Sequence, residues 1–454
     1  MSENASPLDP AVAQERCAAL IDMVCRGGAD SADAVVIGSE SQSIEVRLGK
    51  LEGADRSESA DLGLRVFCDG RSASIHSSDF SDAGLKELSE RAIAMAKAAP
   101  LDPYAGLAEA QMLAQPPYPD CDLFDPVQVT PEKLREAALA AEDSARATAG
   151  VTNSEGGSAG YGSSMVALAT SNGFAAAHRA TSHSLSASVI AGEGAAMQRD
   201  YAYRVARHAE DLPDPLEIGQ KAGQRAVARL DPQRVSSGPR PILFDPRIGH
   251  SLVAHLIGAM SAAAIARRSS FLLGKENDTL FPDDLRLLER PHRQRGLRSR
   301  PFDGEGLPTR DRALVQEGRI TGWLTNCAAA RQLGIAPTGH ASRGAGGAPG
   351  ISVSNCHLEA GGMSPAELMS DIEDGIYVTE LSGQGVNGVT GDYSRGAAGF
   401  RIVKGELAGP VAEFTIAGNL LDMFARMSAA NDLEYHRTIN VPTLRVDGMT
   451  VAGE

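Results

Sequence analysis

Two histidines five residues apart, His250 and His255 in the stretch HSLVAH, could bind a metal ion if their rings met. The surrounding sequence, residues 249–266, is apolar nearly throughout, which predicts a helix buried in a core. Side chains five apart on a helix point about 140° from each other. Zinc peptidase helices instead use H-E-x-x-H, in which a spacing of four places both rings on one face. A spacing of five could bind one metal only across a helix distortion such as a π-bulge. The spacing alone therefore favours hydrogen-bonded histidines over a metal site.

Ser251 follows His250 directly and raises the possibility of a serine nucleophile beside its base. Neighbouring helix residues point about 100° apart, so these two side chains cannot form that pair without help from another element. The sequence also contains no G-x-S-x-G motif, which would supply a strained nucleophile turn. Serine catalysis is therefore not predicted.

Two glycine-rich stretches offer further candidate positions. The stretch GHASRGAGGAPG (339–350) has no large apolar residue and predicts a mobile surface loop, with a flap lining a peptide channel as the alternative. The stretch 382–400 contains neither G-x-x-x-x-G-K-[ST] nor a G-x-G-x-x-G followed by a helix, and it predicts β-bulges and barrel corners. The candidate peptide-channel residues are Gly339, His340, Gly347, Ser352, Asp392 and Tyr393.

Several carboxylates could also take part in chemistry, although turn and salt-bridge roles are commoner for such residues. They are Asp303, Glu305, Asp311, Glu380 and Asp392.

The elements that must position these residues begin with proline-capped helices. Asp9-Pro10, Thr130-Pro131 and Asp214-Pro215 each place a side-chain acceptor at the N-cap and proline in the first turn, and a fourth helix begins near Ser81. The predicted buried faces comprise Leu85, Leu88, Ala92 and Met95 in one helix, and Leu216, Gly219, Gly223, Ala226, Val227 and Leu230 in another. Between the helices, apolar residues alternate with polar ones, which predicts strands: Ile44, Val46 and Leu48; Leu62, Leu64 and Val66; Leu185, Ala187 and Val189.

The order helix, strand meander, helix occurs at about 9–98 and again at about 130–230, joined by a proline-rich connector at 99–129. We place a domain boundary at residues 236–241, which gives an N-terminal α/β domain (1–235) and a C-terminal domain (236–454). The C-terminal part shows hairpin signatures at 316–321 and 403–408 and few helices, namely 249–266, about 326–333, 364–374 and about 419–427. The predicted fold class is α+β: a duplicated helix–β-meander–helix domain followed by a β-rich barrel or sandwich-like domain.

Charge and composition limit the partners. A formal charge of -15 and a pI near 5.2 argue against nucleic-acid binding, because no basic surface is expected to replace counterions. No stretch of about 18 uncharged apolar residues predicts a membrane span, and no basic-then-apolar leader pattern occurs. The six cysteines lack metal or disulfide spacing. We expect a cytoplasmic protein.

Five motifs resemble one family. RRSSFLLGK (267–275), RPFDGEGLPTR (300–310), GWLTNCAAARQLG (322–334), TELSGQGVNGVTGDYSRGAAGF (379–400) and EFTIAGNLLDM (413–423) occur in the order found in the TldD/PmbA family, and specifically in its PmbA (TldE) branch. The N-terminal half is similar to the family in length and pattern, with weaker motifs.

The resemblance implies that a metal site has decayed in this chain. TldD subunits of the family resemble zinc proteases with H-E-x-x-x-H and a cysteine ligand near the C-terminus. Here the histidines correspond to His250 and His255, Ser251 stands at the glutamate position, and Cys356 is the last cysteine of the chain. Both the base and the thiolate are therefore missing, and we expect neither a catalytic residue nor a bound metal in this chain.

By the same resemblance, the chain is expected to be a non-catalytic subunit of a TldD/TldE-type zinc metalloprotease. Its zinc-bearing partner would be a TldD-type subunit, in a heterodimer or a higher assembly, and its substrates unfolded or short peptides. The family's older description, modulator of DNA gyrase, implies at most an indirect link to DNA. One alternative is a metallopeptidase active by itself, using His250 and His255 with His340, His357 or His436. The second alternative is a homodimeric peptide-binding protein.

Overall fold

The computed structural model describes residues 9–454, and the first half of this region repeats one order of elements. The first set is α1 (Pro10–Arg26), β1 (Ser31–Arg47), β2 (Lys50–Cys68), β3 (Arg71–Ser77) and α2 (Asp82–Ala98). The second set is α3 (Pro131–Arg146), β4 (Val151–Thr170), β5 (Ala175–Ala191), β6 (Gln198–Ala206) and α4 (Pro215–Ala228). Both sets follow the predicted order of helix, strands and helix. The division of the chain at residue 236 stays a prediction.

The helices begin where the capping signals indicate. Asp9, Ser81, Thr130 and Asp214 each accept hydrogen bonds from backbone N–H groups of the following turn. Proline occupies the first turn of α1, α3 and α4, where its missing N–H has no helical partner to lose.

The six strands form one antiparallel sheet in the order β3-β2-β1-β4-β5-β6, and pairing of β1 with β4 joins the two halves. The buried residues of α1 and α2 pack on one part of this sheet, and those of α3 and α4 on the other. In β5 the residues Leu185, Ala187 and Val189 are buried while the serines between them are half-buried, as the alternation predicts.

Three apolar residues predicted to be buried are exposed: Leu48, Met95 and Leu216. Leu48 lies in the turn between β1 and β2 with a φ of 51°, so it has left the alternating strand. Met95 points about 80° away from Leu85 on α2, beyond the edge of the buried face. Leu216 is the second residue of α4, in the first turn at the N-terminus of the helix.

Helices α3 and α4 approach closely because α4 carries glycines at the contact. A Cβ atom added at Gly219 would overlap the carbonyl oxygen of Ala141, and one at Gly223 would overlap the side chain of Thr148. The small residues therefore set the distance between the two helices.

We expect Gly219→Ala to separate α3 from α4 and to lower the free energy of unfolding by about 1–3 kcal/mol, as overpacking does. Thermal unfolding followed by circular dichroism measures the change. Gly258→Ala is the matched control, since a Cβ there meets nothing within 4 Å. It should leave stability unchanged or raise it slightly. Equal melting temperatures for the two variants would contradict the close-packing account.

The C-terminal part begins with β7 (Gly238–Phe244), α5 (Pro246–Ala259), α6 (Ala262–Ala266), β8 (Leu287–Glu289), β9 (Arg312–Gln316), β10 (Arg319–Ile320), α7 (Cys327–Leu333), β11 (Ala341–Ser342), β12 (Gly350–Ile351) and β13 (Cys356–Leu358). It continues with α8 (Pro365–Met369), β14 (Asp374–Val386), β15 (Asp392–Val403), β16 (Glu406–Asn419), α9 (Leu420–Ala425), β17 (Met427–Ala429), β18 (Ile439–Asn440) and β19 (Leu444–Ala452).

Strands β16, β15, β14, β7 and β19 pair in that order, and β19 pairs with β16 to close a five-stranded barrel. A second sheet has the order β10-β9-β8-β13-β18. The predicted α+β fold with a barrel in its C-terminal part is confirmed. The predicted bulges are also present, since the pairing of β14 with β15 shifts between Ser382 and Gly385.

The apolar stretch 249–266 forms two helices instead of the one predicted. Helix α5 ends at Ala259 because the chain then pairs with Leu324: the Leu324 N–H donates to the carbonyl of Met260 at 3.0 Å, and the Ala262 N–H donates to the carbonyl of Leu324 at 2.9 Å. These bonds replace helical ones at the break.

The N-terminal sheet and the C-terminal part share an apolar contact and a buried charge network. Val35, Leu168 and Phe174 pack with Phe302 and Leu307. Beside this contact, residues from both parts of the chain form ion pairs: Asp33, Arg65, Glu305 and Arg343.

The stretch 339–350 forms the short hairpin of β11 and β12, with Gly344, Gly346 and Ala348 exposed. Its two ends lie in this interface, so the prediction of a surface loop does not hold for them. His340 and Ala341 are buried, and the Arg343 guanidinium donates to Asp33 at 2.9 Å. The backbone of Ala345 approaches Gly63 of β2 so closely that a Cβ atom added at Gly63 would overlap the backbone of Ala345. A buried ion pair thus holds a stretch whose composition alone indicates a loop.

Within residues 9–454, no helix is both long and apolar enough to cross a membrane.

Candidate functional site

Helix α5 carries the histidines and is open along one face. Asp245 caps the helix by accepting the Arg247 N–H at 2.8 Å. The buried face consists of Gly249, Leu252, Val253, Leu256 and Ala259. The prediction of a helix buried all round is wrong, because His250, Ser251 and His255 are half-buried and Ala254 and Gly258 are exposed.

His250 lies near a positive charge. Burial lowers the pKa of its imidazole, and the neighbouring Arg437 guanidinium lowers that pKa further. Its Nδ1 atom is buried without a hydrogen bond of normal geometry to any described residue, although the backbone of Pro246 and Arg247 lies near enough to oppose this lowering of the pKa. Ser251 does not provide such a hydrogen bond, since its hydroxyl donates to the carbonyl of Ile248 at 2.7 Å. His250 and Ser251 therefore do not form a base and nucleophile pair.

His255 faces a different set of neighbours. Burial and the Arg395 guanidinium lower the pKa of its imidazole. Its ring meets that of Tyr393 edge-on, with centroids 6.4 Å apart. Its Nε2 atom and the Tyr393 hydroxyl are both buried without a hydrogen-bond partner in the part of the chain that the structure describes. Burial raises the pKa of Tyr393 well above its usual range.

These surroundings do not fit a catalytic zinc ion, which normally takes three protein ligands and a water. Across residues 9–454, no group of three or more His, Cys, Asp and Glu side chains is arranged to hold a metal. The charges of Arg437 and Arg395, which lower the pKa values of His250 and His255 respectively, would also oppose a bound dication. Burial raises the pKa of the Cys356 thiol well above its usual value. The charge of Glu289 raises it further, and the charge of Arg300 lowers it.

The other histidines considered as a third ligand are engaged elsewhere. His340 contacts Glu289 at 2.7 Å through Nε2 and Thr338 at 2.8 Å through Nδ1. His357 packs edge-on against Tyr435. His436 lies among basic residues that, with burial, lower its pKa to about 4.

The candidate peptide-channel residues fall into two groups. The Ser352 N–H donates to the carbonyl of His340 at 2.9 Å, and the carbonyl of Ser352 accepts from Arg300 at 2.7 Å. Gly339 is buried in the same region, and the carbonyl of Gly347 accepts from Arg343.

In the second group, Tyr393 lies beside His255, whereas Asp392, at the exposed start of β15, accepts hydrogen bonds from Thr390 and Asn419. No hydrogen bond or ring contact between described residues joins the two groups. Their common role in a channel stays a prediction.

The carboxylates singled out in the sequence lie in turns and ion pairs. Asp303 accepts the N–H groups of Glu305, Leu307 and Ala341, and burial together with Glu305 raises its pKa to about 6. Glu305 accepts from the Cys327 N–H and pairs with Arg65. Asp311 pairs with Arg290, and Glu380 with Arg229.

Sequence reasoning missed the two arginines that flank the histidines. Arg395 follows a turn in a glycine-rich stretch, and Arg437 precedes β18, so neither carries a motif that links it to α5. Only the closure of the barrel and the packing of β18 near α5 bring them there.

Comparison with known proteins agrees with this architecture. Three family models match in order: PmbA/TldA metallopeptidase domain 1 over residues 32–96, the central domain over 124–230, and the C-terminal domain over 237–453. Metalloprotease PmbA of Escherichia coli O157:H7 is 36% identical over 430 residues, which cover 94% of this chain and 93% of that protein.

Solved structures show the same fold. A protein of Bacteroides thetaiotaomicron VPI-5482, described as a modulator of DNA gyrase, is 27% identical with a TM-score of 0.89, covering 97% of this chain and 99% of its own. TldE from Thermococcus kodakarensis is 22% identical with a TM-score of 0.86, covering 96% of this chain and 100% of its own. By these similarities, this chain belongs to the PmbA/TldD metallopeptidase family.

Proposed function

We propose that this chain is the non-catalytic subunit of a zinc metallopeptidase assembly of its family. The observation that carries the proposal is the open face of α5, where His250 and His255 lie beside arginines and Ser251 occupies the position of the base. A serine cannot accept the proton of a metal-bound water as a glutamate does, and a general base contributes about 10²–10⁴ in rate.

The partner in this proposal is a TldD-type subunit that holds the zinc. Together the two chains would enclose a chamber that admits unfolded or short peptides, and this chain would restrict access and stabilise the active subunit. The proposal places the assembly in the cytoplasm. It includes no contact with nucleic acid, consistent with the formal charge of -15.

The alternative is a peptidase that acts alone, and its supporting observation is the name metalloprotease carried by the Escherichia coli relative. A third ligand would then have to come from His340, His357 or His436. His436 lines the same cleft as Arg247 of α5. The positive charges around it disfavour a zinc ion there.

Metal content separates these possibilities. After dialysis against metal-free buffer, we expect mass spectrometry to find far less than one zinc ion per chain. His76→Ala is a control, since this histidine is exposed on β3, away from α5. One tightly held zinc that is lost in His250→Ala and His255→Ala, but kept in His76→Ala, would contradict the proposal and support the alternative.

A further inference from the structure

A basic cleft lies between the N-terminal sheet and the segment before β18. Four basic side chains that line it belong to three separate segments: Arg204 of β6, Lys221 and Arg225 of α4, and Arg437. The cleft has a volume of about 90 Å³, enough for a carboxylate group. In a chain with a formal charge of -15, this is an unusual concentration of positive charge.

These four cations have few acidic partners. Lys221 forms no salt bridge with any described residue, and Arg204 reaches Glu434 only at 4.0 Å. Arg225 donates to the carbonyl of Tyr201 at 3.1 Å and not to a carboxylate. The acidic residues that line the cleft, Glu217 and Glu434, are both exposed. The positive charge is therefore only partly neutralised.

Arg437 is held in place by an aromatic ring and not by an acid. Its guanidinium lies 5.0 Å from the ring centroid of Tyr203 and donates to the hydroxyl of that residue. Its Nε atom is buried and lacks a hydrogen-bond partner among residues 9–454. Arg247 also lines the cleft, but its charge is taken up by Asp200 and Asp245. Arg437 thus has no carboxylate partner among the described residues.

The pKa of His436 shows the effect of these four charges. Burial lowers the pKa of its imidazole to about 4, with further lowering by Arg204, Arg437, Lys221 and Arg225. All four cations therefore act on one side chain inside the cleft. Its Nδ1 atom lies 3.5 Å from a carboxylate oxygen of Glu434 without forming a hydrogen bond.

The cleft also contains part of the edge strand of the N-terminal sheet. Strand β6 is the last strand of the N-terminal sheet, and its residue Tyr201 directs its backbone outward: its N–H donates to Asp200 at 2.7 Å, and its carbonyl accepts from Arg225. Both groups of Tyr201 are therefore engaged within the chain. In an antiparallel pair every second residue has this orientation, so the outward N–H and C=O groups left for an added strand are those of Tyr203 and Val205. An extended chain could add to such an edge as a further strand.

We propose that this cleft binds a carboxylate of an extended peptide whose backbone pairs with β6. The carboxylate is either the C-terminal group or an Asp or Glu side chain. The proposal names the substrate class of the proposed function, and it rests on that function for the expectation that the ligand is a peptide. The charge of Arg437 also lowers the pKa of His250 on α5. A peptide bound at Arg437 would therefore lie close to the open face of α5.

Fluorescence anisotropy with the full chain tests this proposal directly. The probes are a short labelled peptide of neutral residues with a free C-terminal carboxylate, its C-terminally amidated twin, and the amidated twin with one internal glutamate. We expect the neutral amidated peptide to bind at least about tenfold more weakly than the acid, as the loss of a charge-assisted hydrogen bond predicts. Restored binding of the glutamate peptide identifies a side-chain carboxylate as sufficient, and its absence identifies the C-terminus.

Variants locate the binding in the cleft. Arg437→Gln and Lys221→Gln should each weaken binding of the acid peptide by about tenfold, and exposed Lys221 is replaceable without affecting the fold. Lys133→Gln, which replaces an exposed lysine of α3, should leave the affinity unchanged.

Equal binding of charged and neutral peptides, or binding unaffected by both cleft variants, would overturn the proposal. Displacement of the acid peptide by phosphate and by acetate at concentrations equal to its own would show a simple anion site, and would overturn it as well. None of these results alters the expected zinc content, so the two proposals fail separately.

Discussion

Replacing Arg65 by methionine is expected to lower the free energy of unfolding by about 3–5 kcal/mol, the cost of removing one partner from a buried ion pair. The Arg65 guanidinium donates to Asp33 at 2.6 Å and lies 3.5 Å from Glu305, and all three side chains are buried. Methionine fills a similar volume but carries no charge. Glu305 then keeps only the Cys327 N–H as a hydrogen-bond donor, and Asp33 depends on Arg343 alone for its charge.

The melting temperature should fall by about 10 °C, since about 1 kcal/mol corresponds to about 2–4 °C for domains of 150–250 residues. Arg26→Met is the matched control: Arg26 pairs with Asp22 on the surface of α1, where such pairs contribute little. Its melting temperature should stay within about 1 °C of the parent. If both variants have the melting temperature of the parent, the buried ion pairs of the interface do not stabilise the fold, and the account is contradicted.

Much of the fold follows from short-range patterns in the sequence. Asp9, Thr130 and Asp214, each followed by proline, indicate where helices begin, and a local hydrogen bond at each of them explains why. The alternation around Leu185 identifies β5, because one face of that strand packs under helices. These features depend on neighbours a few residues away, so the sequence displays them directly.

Features that depend on distant residues were not predictable in this way. The break after Ala259 requires backbone pairing with Leu324, and the burial of Arg343 requires Asp33 from the other part of the chain. Without those partners, 249–266 has the composition of one helix, and 339–350 that of a loop. The open face of α5 also depends on which elements surround the helix, and composition does not encode that.

The candidate site shows the same division. The serine beside His250 is visible in the sequence. The spacing of His250 and His255 does not decide the matter, because the H-E-x-x-x-H motif of TldD subunits has the same spacing. The arginines that flank them could not be found from spacing, since folding brings them there from other elements. The basic cleft combines residues of β6, α4 and the segment before β18, and no stretch of sequence shows that combination.

Proteolysis should depend entirely on a second subunit. With Ser251 in place of the base, hydrolysis at α5 would lack about 10²–10⁴ in rate even if a metal bound there. Arg437 and Arg395 further oppose a bound dication. His250 and His255 would therefore contribute nothing to the chemical step. A chain in which both are alanine should support the same rate as the parent when the partner is present.

The most direct measurement is the cleavage of denatured casein by the purified chain alone, by a TldD-type subunit with an intact H-E-x-x-x-H motif, and by the mixture. The account predicts no cleavage by this chain alone. The mixture should cleave casein in a chelator-sensitive reaction at the same rate whether this chain carries His250 and His255 or alanine at both positions. Chelator-sensitive cleavage by this chain alone, abolished when both histidines are replaced, would contradict the account.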